Sequence, residues 1–403
     1  MELYILSNTV KHRFGDSFGR GTRLSLVGAR GERVAFQAIL PKPFHNAFAE
    51  ADGEWDAEIF WERYVKLSAS SSGVTAEREY PDVMVDASRA EKFKDNTSER
   101  GEGVLWCFVT IPADAAAGRH TVRLEVTADE GKVAVEAEIE VLDFCLPEQN
   151  GNVTSFAIRE DMIKSADPGE FRKKYDELVE EHLHYRLSPT KLLPYGTWGI
   201  EEALSEARKR TADVRCAAYS LPYKTFREDT IYEKGQECLD TDYLRKLLTA
   251  FAENSTDECD LLKKANFYIT FIDEPAPERF HSVRRVYREI HDLKREVAKS
   301  VDFTGRRGVE NSLLTLDNIV TVFNKEPIYG EVDTWCPTYW GYFKPEYVYE
   351  EKKLRGLGKK NWWYGCVVPK TPFPNLHTDS PMRDSRFESW LRFLYDISGN
   401  LYW

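Results

Sequence analysis

Two adjacent carboxylates, Asp273 and Glu274, are the residues of this sequence best placed to do chemistry. They close the apolar stretch Asn266-Phe-Tyr-Ile-Thr-Phe-Ile272 and stand directly before Pro275 and Pro277. A short apolar run stopped by prolines and followed by an amphipathic pattern predicts a buried strand leading into a helix. In a parallel sheet, ligands gather at the C-terminal ends of the strands. Two carboxylates at such an end are candidates for acid/base work. The same acids ahead of Pro-Ala-Pro-Glu would equally serve as a helix cap and a first-turn acid.

The spacing narrows the chemistry. Retaining glycosidases with two carboxylates hold them about 5 Å apart across the scissile bond. Neighbours on one strand do not flank a sugar in that way, and the later block Trp362-Trp-Tyr-Gly-Cys-Val-Val-Pro-Lys370 carries no carboxylate. An Asp-Glu pair suits a different division of labour. Glu protonates the leaving oxygen while Asp holds a 2-acetamido group, whose carbonyl oxygen attacks C1. Two rivals stay open. One is a two-carboxylate glycosidase on sugars without the acetamido group, with Asp333 or Glu331 as nucleophile. The other is a non-catalytic carbohydrate-binding protein.

Other expected strand ends bring aromatics. Asp333 and Trp335 close one strand, with Tyr339 and Trp340 just beyond. Trp363 and Tyr364 lie on the next, and Tyr402 and Trp403 on the last. Trp and Tyr rings suit the apolar faces of sugars. Asp333, Trp335, Tyr339, Trp363, Tyr364 and Trp403 are therefore the candidate substrate-binding residues. Neighbours on a strand alternate faces, so a share of these rings must belong to the core. The chain shows no P-loop, no HExxH and no paired CxxC, and neither a metal nor a cofactor is expected.

The elements that must position these groups fall in two parts. Residues 1–148 read as all-β. Val34, Phe36, Ala38 and Leu40 alternate with other residues, as do Val122, Leu124 and Val126, and again Val133 to Val141. Period two with one wet face, broken by glycine-rich turns, predicts a β-sandwich, with Leu105–Pro112 as a central strand. After the turn-rich linker Leu146–Gly151 the pattern changes to alternating strands and helices over 151–403. Strands are expected at 153–158, 191–195, 214–221, 266–274, 312–316, 331–336, 361–368 and 399–403. Helices are expected near 168–186, from 241, after Pro277 and around Phe387–Leu394. This is an α/β chain, a (β/α)8 TIM-type barrel after the sandwich, with no residues left for a last helix.

The chain has 403 residues, 42% of them hydrophobic, with 10 Trp, 20 Tyr and 22 Phe. That is enough for a sandwich and a barrel. The net charge of -12 argues against nucleic acid or an anionic membrane as partner. No apolar run reaches the length of a membrane span. The first residues, MELYILSNTV, do not read as a signal peptide. The seven cysteines are odd in number and widely spaced, which reads as reduced thiols in a cytoplasmic protein.

Four stretches carry a family resemblance. They are ERVAFQAIL, FYITFIDEP, VDTWCP and the block NWWYGCVVPKTPFPN through SRFESWLRFLYDISGNLYW. In this order they resemble glycoside hydrolase family 123. The resemblance implies a β-sandwich, a (β/α)8 barrel and release of terminal β-linked N-acetylgalactosamine from an oligosaccharide or glycoconjugate by substrate-assisted retaining catalysis. It implies that Asp273 orients and polarises the acetamido group and that Glu274 is the general acid/base. It also places Trp335, Trp363, Tyr364 and Trp403 near the pocket.

Overall fold

The computed structural model describes residues 1–71, 78–148, 151–231, 233–323 and 326–403, the side chains of Phe93 and Glu326 apart. Part of the expected linker, Gln149 and Asn150, lies outside these residues. The chain divides into two compact units. One joins Met1–Glu148 to Lys370–Trp390, and the other joins Gln149–Pro369 to Leu391–Trp403.

The first unit is built on the expected sandwich. Its five-stranded sheet takes Tyr4–Ser7, Arg33–Leu40, Gly103–Thr110, Ala57–Lys66 and Glu79–Asp86 in that spatial order, so Gly103–Thr110 is central. Its four-stranded sheet takes Arg23–Arg30, Gly131–Cys145, Gly118–Ala128 and Phe48–Asp52. The alternating residues read from the sequence meet in one core. Phe36, Ala38 and Leu40 from the first sheet pack with Val122, Leu124, Val126, Ala137 and Ile139 from the second. The expected division of the chain at residue 148 did not foresee the excursion Lys370–Trp390. This segment is fastened within the first unit by polar bonds. The Lys11 ammonium donates to the Thr378 carbonyl, and the Ser71 N–H donates to Asp379 Oδ2 at 2.8 Å. Contacts made by a distant stretch of chain leave no trace in local periodicity.

The second unit is a nearly closed parallel barrel. Seven strands run side by side in the order Val153–Phe156, Gly399–Tyr402, Lys360–Gly365, Thr334–Trp335, Asp317–Val320, Ala265–Tyr268 and Tyr219–Ser220. An eighth strand was expected at 191–195. Instead, isolated bridges from Phe156 to Pro189 and from Lys191 to Ser220 span the remaining gap. Pro189 and Pro194 lack the N–H donors that a regular ladder needs. The run Ser312–Leu316, read as a strand, falls largely in the helix Arg307–Leu314. Val309 and Leu313 are buried there at helical spacing, and the strand itself is Asp317–Val320. Short apolar runs are ambiguous between the two periods.

Strand residues Ile319, Trp362, Tyr364 and Leu401, with Cys336 just past its strand, cluster with one another and line the inside of the barrel. Gly399 lets this happen, because a Cβ there would stand 2.2 Å from the Trp362 ring. Phe267, Val320 and Trp335 pack instead with the helices outside. The helix Phe280–Ser300 buries Val283, Val286, Ile290, Leu293 and Val297 along one stripe. Its Tyr287 hydroxyl donates to the Ile319 carbonyl and ties the helix to the sheet. All seven cysteines are free thiols; five are buried, and Cys145 and Cys259 are exposed. No helix among the described residues is long and apolar enough to cross a membrane.

Candidate active site

The organising strand is shorter than its apolar run. Ala265–Tyr268 is the strand, and Thr270–Ile272 forms a single 3-10 turn. The Tyr223 hydroxyl is bonded to the residue at which the direction changes. It lies 2.7 Å from Thr270 Oγ1 and accepts the Thr270 N–H at 3.1 Å. The turn delivers Asp273 and Glu274 to the C-terminal rim of the barrel. Neither serves as an N-terminal cap of the helical segments that follow. Ala276 and Arg279 occupy the two cap positions that follow, and neither cap is closed by a side chain.

Three side chains fix the pair through four hydrogen bonds. The Tyr268 hydroxyl donates to Asp273 Oδ1 at 3.3 Å, and the Thr321 hydroxyl donates to the same oxygen. The Glu274 N–H donates to Thr321 Oγ1 at 2.7 Å. Thr321 therefore holds both acids from the end of the neighbouring strand. The Tyr364 hydroxyl donates to Glu274 Oε1 from across the barrel. Glu274 has φ 41°, the left-handed region that a residue with a Cβ seldom enters. Such a conformation costs about 1–3 kcal/mol and persists where the surroundings enforce it, most often at functional sites.

Burial is the main reason that Asp273 is held above the ordinary aspartate range, and the neighbouring Glu274 charge adds to it. The Thr321 and Tyr268 hydroxyls act in the opposite direction. Burial first, then the Glu274 partnership, raises the Tyr364 hydroxyl, which stays a protonated donor. A cavity of about 220 Å³ opens beside Asp273, lined also by Tyr268, Thr270, Glu160, Lys191 and Trp403. It has room for a single sugar ring. Glu160 Oε1 accepts from Lys191 at 3.1 Å, and its Oε2 accepts the Tyr195 N–H at 2.9 Å. No group of three His, Cys, Asp or Glu suited to a metal ion occurs among the described residues.

The structure brings together Asp273, Glu274, Tyr364 and Trp403. It does not bring in the other candidates. Trp335 is 1% exposed and packs edge-on against Tyr329, 5.8 Å between centroids, in the core outside the barrel. Trp363 is fully buried, 5.5 Å from the Tyr339 ring, which is itself buried. Both tryptophans have the wrong strand parity: Cys336 and Tyr364, one residue on, face inward. Asp333 lies at the other rim. Its N–H donates to the Asn318 carbonyl at 3.1 Å and its carbonyl accepts from Lys360, both near the starts of their strands. Its carboxylate accepts the Asn318 N–H at 3.0 Å and stands 3.5 Å from His291. Glu331 pairs with Arg288 at 2.6 Å. Neither is available to the two-carboxylate mechanism. Asp333→Ala is therefore expected to cost about 1–3 kcal/mol of stability, the penalty for stranding partly buried partners. Thermal unfolding measures that loss, while turnover per folded molecule stays within a factor of two.

Tyr268, Thr321, Lys191 and Glu160 belong to the site but were not among the candidates. Tyr268 was legible, since it sits on the organising strand. Thr321, directly after an apolar strand, gave a fainter signal.

Residues 221–403 match the family model described as glycoside hydrolase 123, catalytic domain. No curated protein matches the chain. Among solved structures, a family 123 glycoside hydrolase from Clostridium perfringens, described for glycolipid glycan hydrolysis, aligns at 12% identity with a TM-score of 0.65. The alignment covers 100% of this chain and 78% of that one, a likeness of fold. An endo-fucoidan hydrolase of glycoside hydrolase family 107 aligns at 10% identity over 33% of this chain and 14% of its own, with a TM-score of 0.15. The N-terminal domain of PorA aligns at 8% identity over 36% and 99%, with a TM-score of 0.19. Those two likenesses carry no argument. The rim that holds Asp273 and Glu274 thus lies within the stretch that matches the catalytic domain of glycoside hydrolase family 123.

Proposed function

We propose that the protein is an exo-acting β-N-acetylhexosaminidase that releases terminal β-linked N-acetylgalactosamine with retention, the substrate supplying the nucleophile. The observation that supports this most is the separate fixing of two adjacent carboxylates. Asp273 is half-buried at the cavity wall on Tyr268 and Thr321, and Glu274 is exposed and held by Tyr364. In this reading Glu274 gives its proton to the glycosidic oxygen as the C1–O bond breaks. The acetamido carbonyl oxygen closes on C1 to form an oxazoline, and Asp273 accepts the N–H and balances the charge that develops there. Water then opens the ring, with Glu274 taking its proton. Among the described residues the other carboxylate lining the cavity, Glu160, is engaged by Lys191 and the Tyr195 N–H.

The test is hydrolysis of aryl β-N-acetylgalactosaminide, aryl β-N-acetylglucosaminide and aryl β-galactoside side by side. Cleavage of the acetamido sugars alone supports the reading and ranks the C4 epimers. Cleavage of the plain galactoside overturns it and directs attention to Glu160 as a protein nucleophile. Carbohydrate binding with no turnover of any substrate would support the non-catalytic alternative.

A further inference from the structure

We propose that the loop after Lys191 carries an aglycone subsite, in which Tyr195 and Trp198 form a stacking platform for a second sugar ring. The substrate class is then an oligosaccharide ending in the acetamido sugar, not a lone sugar on a small aglycone. This inference rests on the proposed function and names its substrate more closely.

Three observations carry it. First, a smaller cavity of about 30 Å³ adjoins the carboxylate cavity. The two share Lys191, Tyr268 and Thr270 as walls, and Tyr195 and Trp198 line the smaller one. Second, both rings are open to solvent, Tyr195 at 67% and Trp198 at 41%, with Trp403 at 46% beside the larger cavity. Scattered exposed apolar groups are ordinary, but several aromatics around one concave site mark a binding surface. Third, the rings are held in place without a ligand. Trp198 Nε1 donates to the Tyr223 carbonyl at 3.0 Å. The Lys224 ammonium lies 5.4 Å from the Trp198 ring centre, and that of Lys191 lies 5.1 Å from the Tyr195 ring centre. Rigid aromatics give contact area at small entropic cost.

The platform is also tied to the reacting groups. Tyr223, which accepts from Trp198 through its carbonyl, bonds through its hydroxyl to Thr270. Thr270 opens the turn that ends at Asp273. A ring stacked on Trp198 is therefore held against the same short segment that orients the carboxylates. The apolar face of a pyranose, a row of axial C–H bonds, is the complement of such rings.

The experiment compares two substrates that share the acetamido sugar. One is the β-glycosyl fluoride, whose leaving group reaches no platform. The other is a β-N-acetylgalactosaminyl disaccharide. The ratio of kcat/KM on disaccharide to that on fluoride is expected to fall at least tenfold in Tyr195→Ala and in Trp198→Ala, mainly through KM. Trp198→Phe is expected to recover most of the loss. Tyr195→Ala is the cleaner variant, because Trp198→Ala also removes the bond to Tyr223. A ratio within twofold of wild type in both alanine variants overturns the proposal. If wild type does not hydrolyse the fluoride, the functional reading fails instead. Disaccharide binding to Glu274→Gln protein, with and without Tyr195→Ala, then decides the platform: tenfold weaker binding sustains it, and equal binding overturns it.

Discussion

Glu274→Gln is expected to lower hydrolysis of an acetamido glycoside with a poor leaving group by about 10²–10⁴-fold, the range that a positioned general acid supplies. The substitution keeps the size of the side chain and an oxygen that accepts from Tyr364. Glu274 is exposed, so its fold is expected to survive and the loss is one of chemistry. The pattern across leaving groups is the sharper readout. A fluoride or a strongly acidic phenol departs without a proton, so the variant is expected to retain far more activity on these than on an alkyl glycoside. External azide is not expected to restore the first step, because in the proposed mechanism the nucleophile is already part of the substrate. Equal losses across all leaving groups would show that Glu274 is not the acid.

Asp273→Asn is expected to cost about 10²–10³-fold in kcat, comparable to the removal of one preorganised electrostatic partner from a developing charge. The amide still accepts from Thr321 and Tyr268 but carries no charge to balance the oxazolinium of the proposed mechanism. The pH dependence separates this role from a structural one. Burial, then Glu274, holds Asp273 above the usual aspartate range. Wild-type kcat is thus expected to fall on the acid side through a pKa above 3.8, and the Asn variant is expected to lack that limb. Stability runs the other way. Protonated Asp273 is favoured in the folded state, so its contribution is full below the unfolded pKa and is lost as pH rises through the folded one. At neutral pH the ionised carboxylate therefore costs stability. Asp273→Asn is expected to melt at or above the wild-type temperature. A variant that lost activity and also melted well below wild type would mark Asp273 as structural.

The sequence made the main components of the site visible because they sit in one continuous signal. Apolar residues, a pair of acids and two prolines announce a strand end at Asp273 and Glu274 whatever the rest of the fold does. The parity of the aromatics was not visible. In a strand buried on both faces, neighbours such as Trp363 and Tyr364 look alike. Only the packing decides that Tyr364 faces inward and Trp363 outward. Asp333 misled for a related reason. Its strand is two residues long, Thr334–Trp335, so the acid read as part of the strand opens it instead. Lys191 and Glu160 were out of reach because each gains its role from a partner far along the chain. The sandwich, by contrast, was legible in its alternation, since one wet face gives period two a clear contrast.

The barrel closes where Val153 lies against Gly399, nearly the whole length of the unit apart in sequence. Ordering so long a stretch carries a loop-closure cost before that pairing returns any gain. Tyr364, whose hydroxyl holds Glu274, pairs with Leu401 on the strand that closes the ring. The hold on Glu274 is therefore complete only when the two ends of the unit have met, so the local order of the acid depends on the longest-range pairing of the barrel.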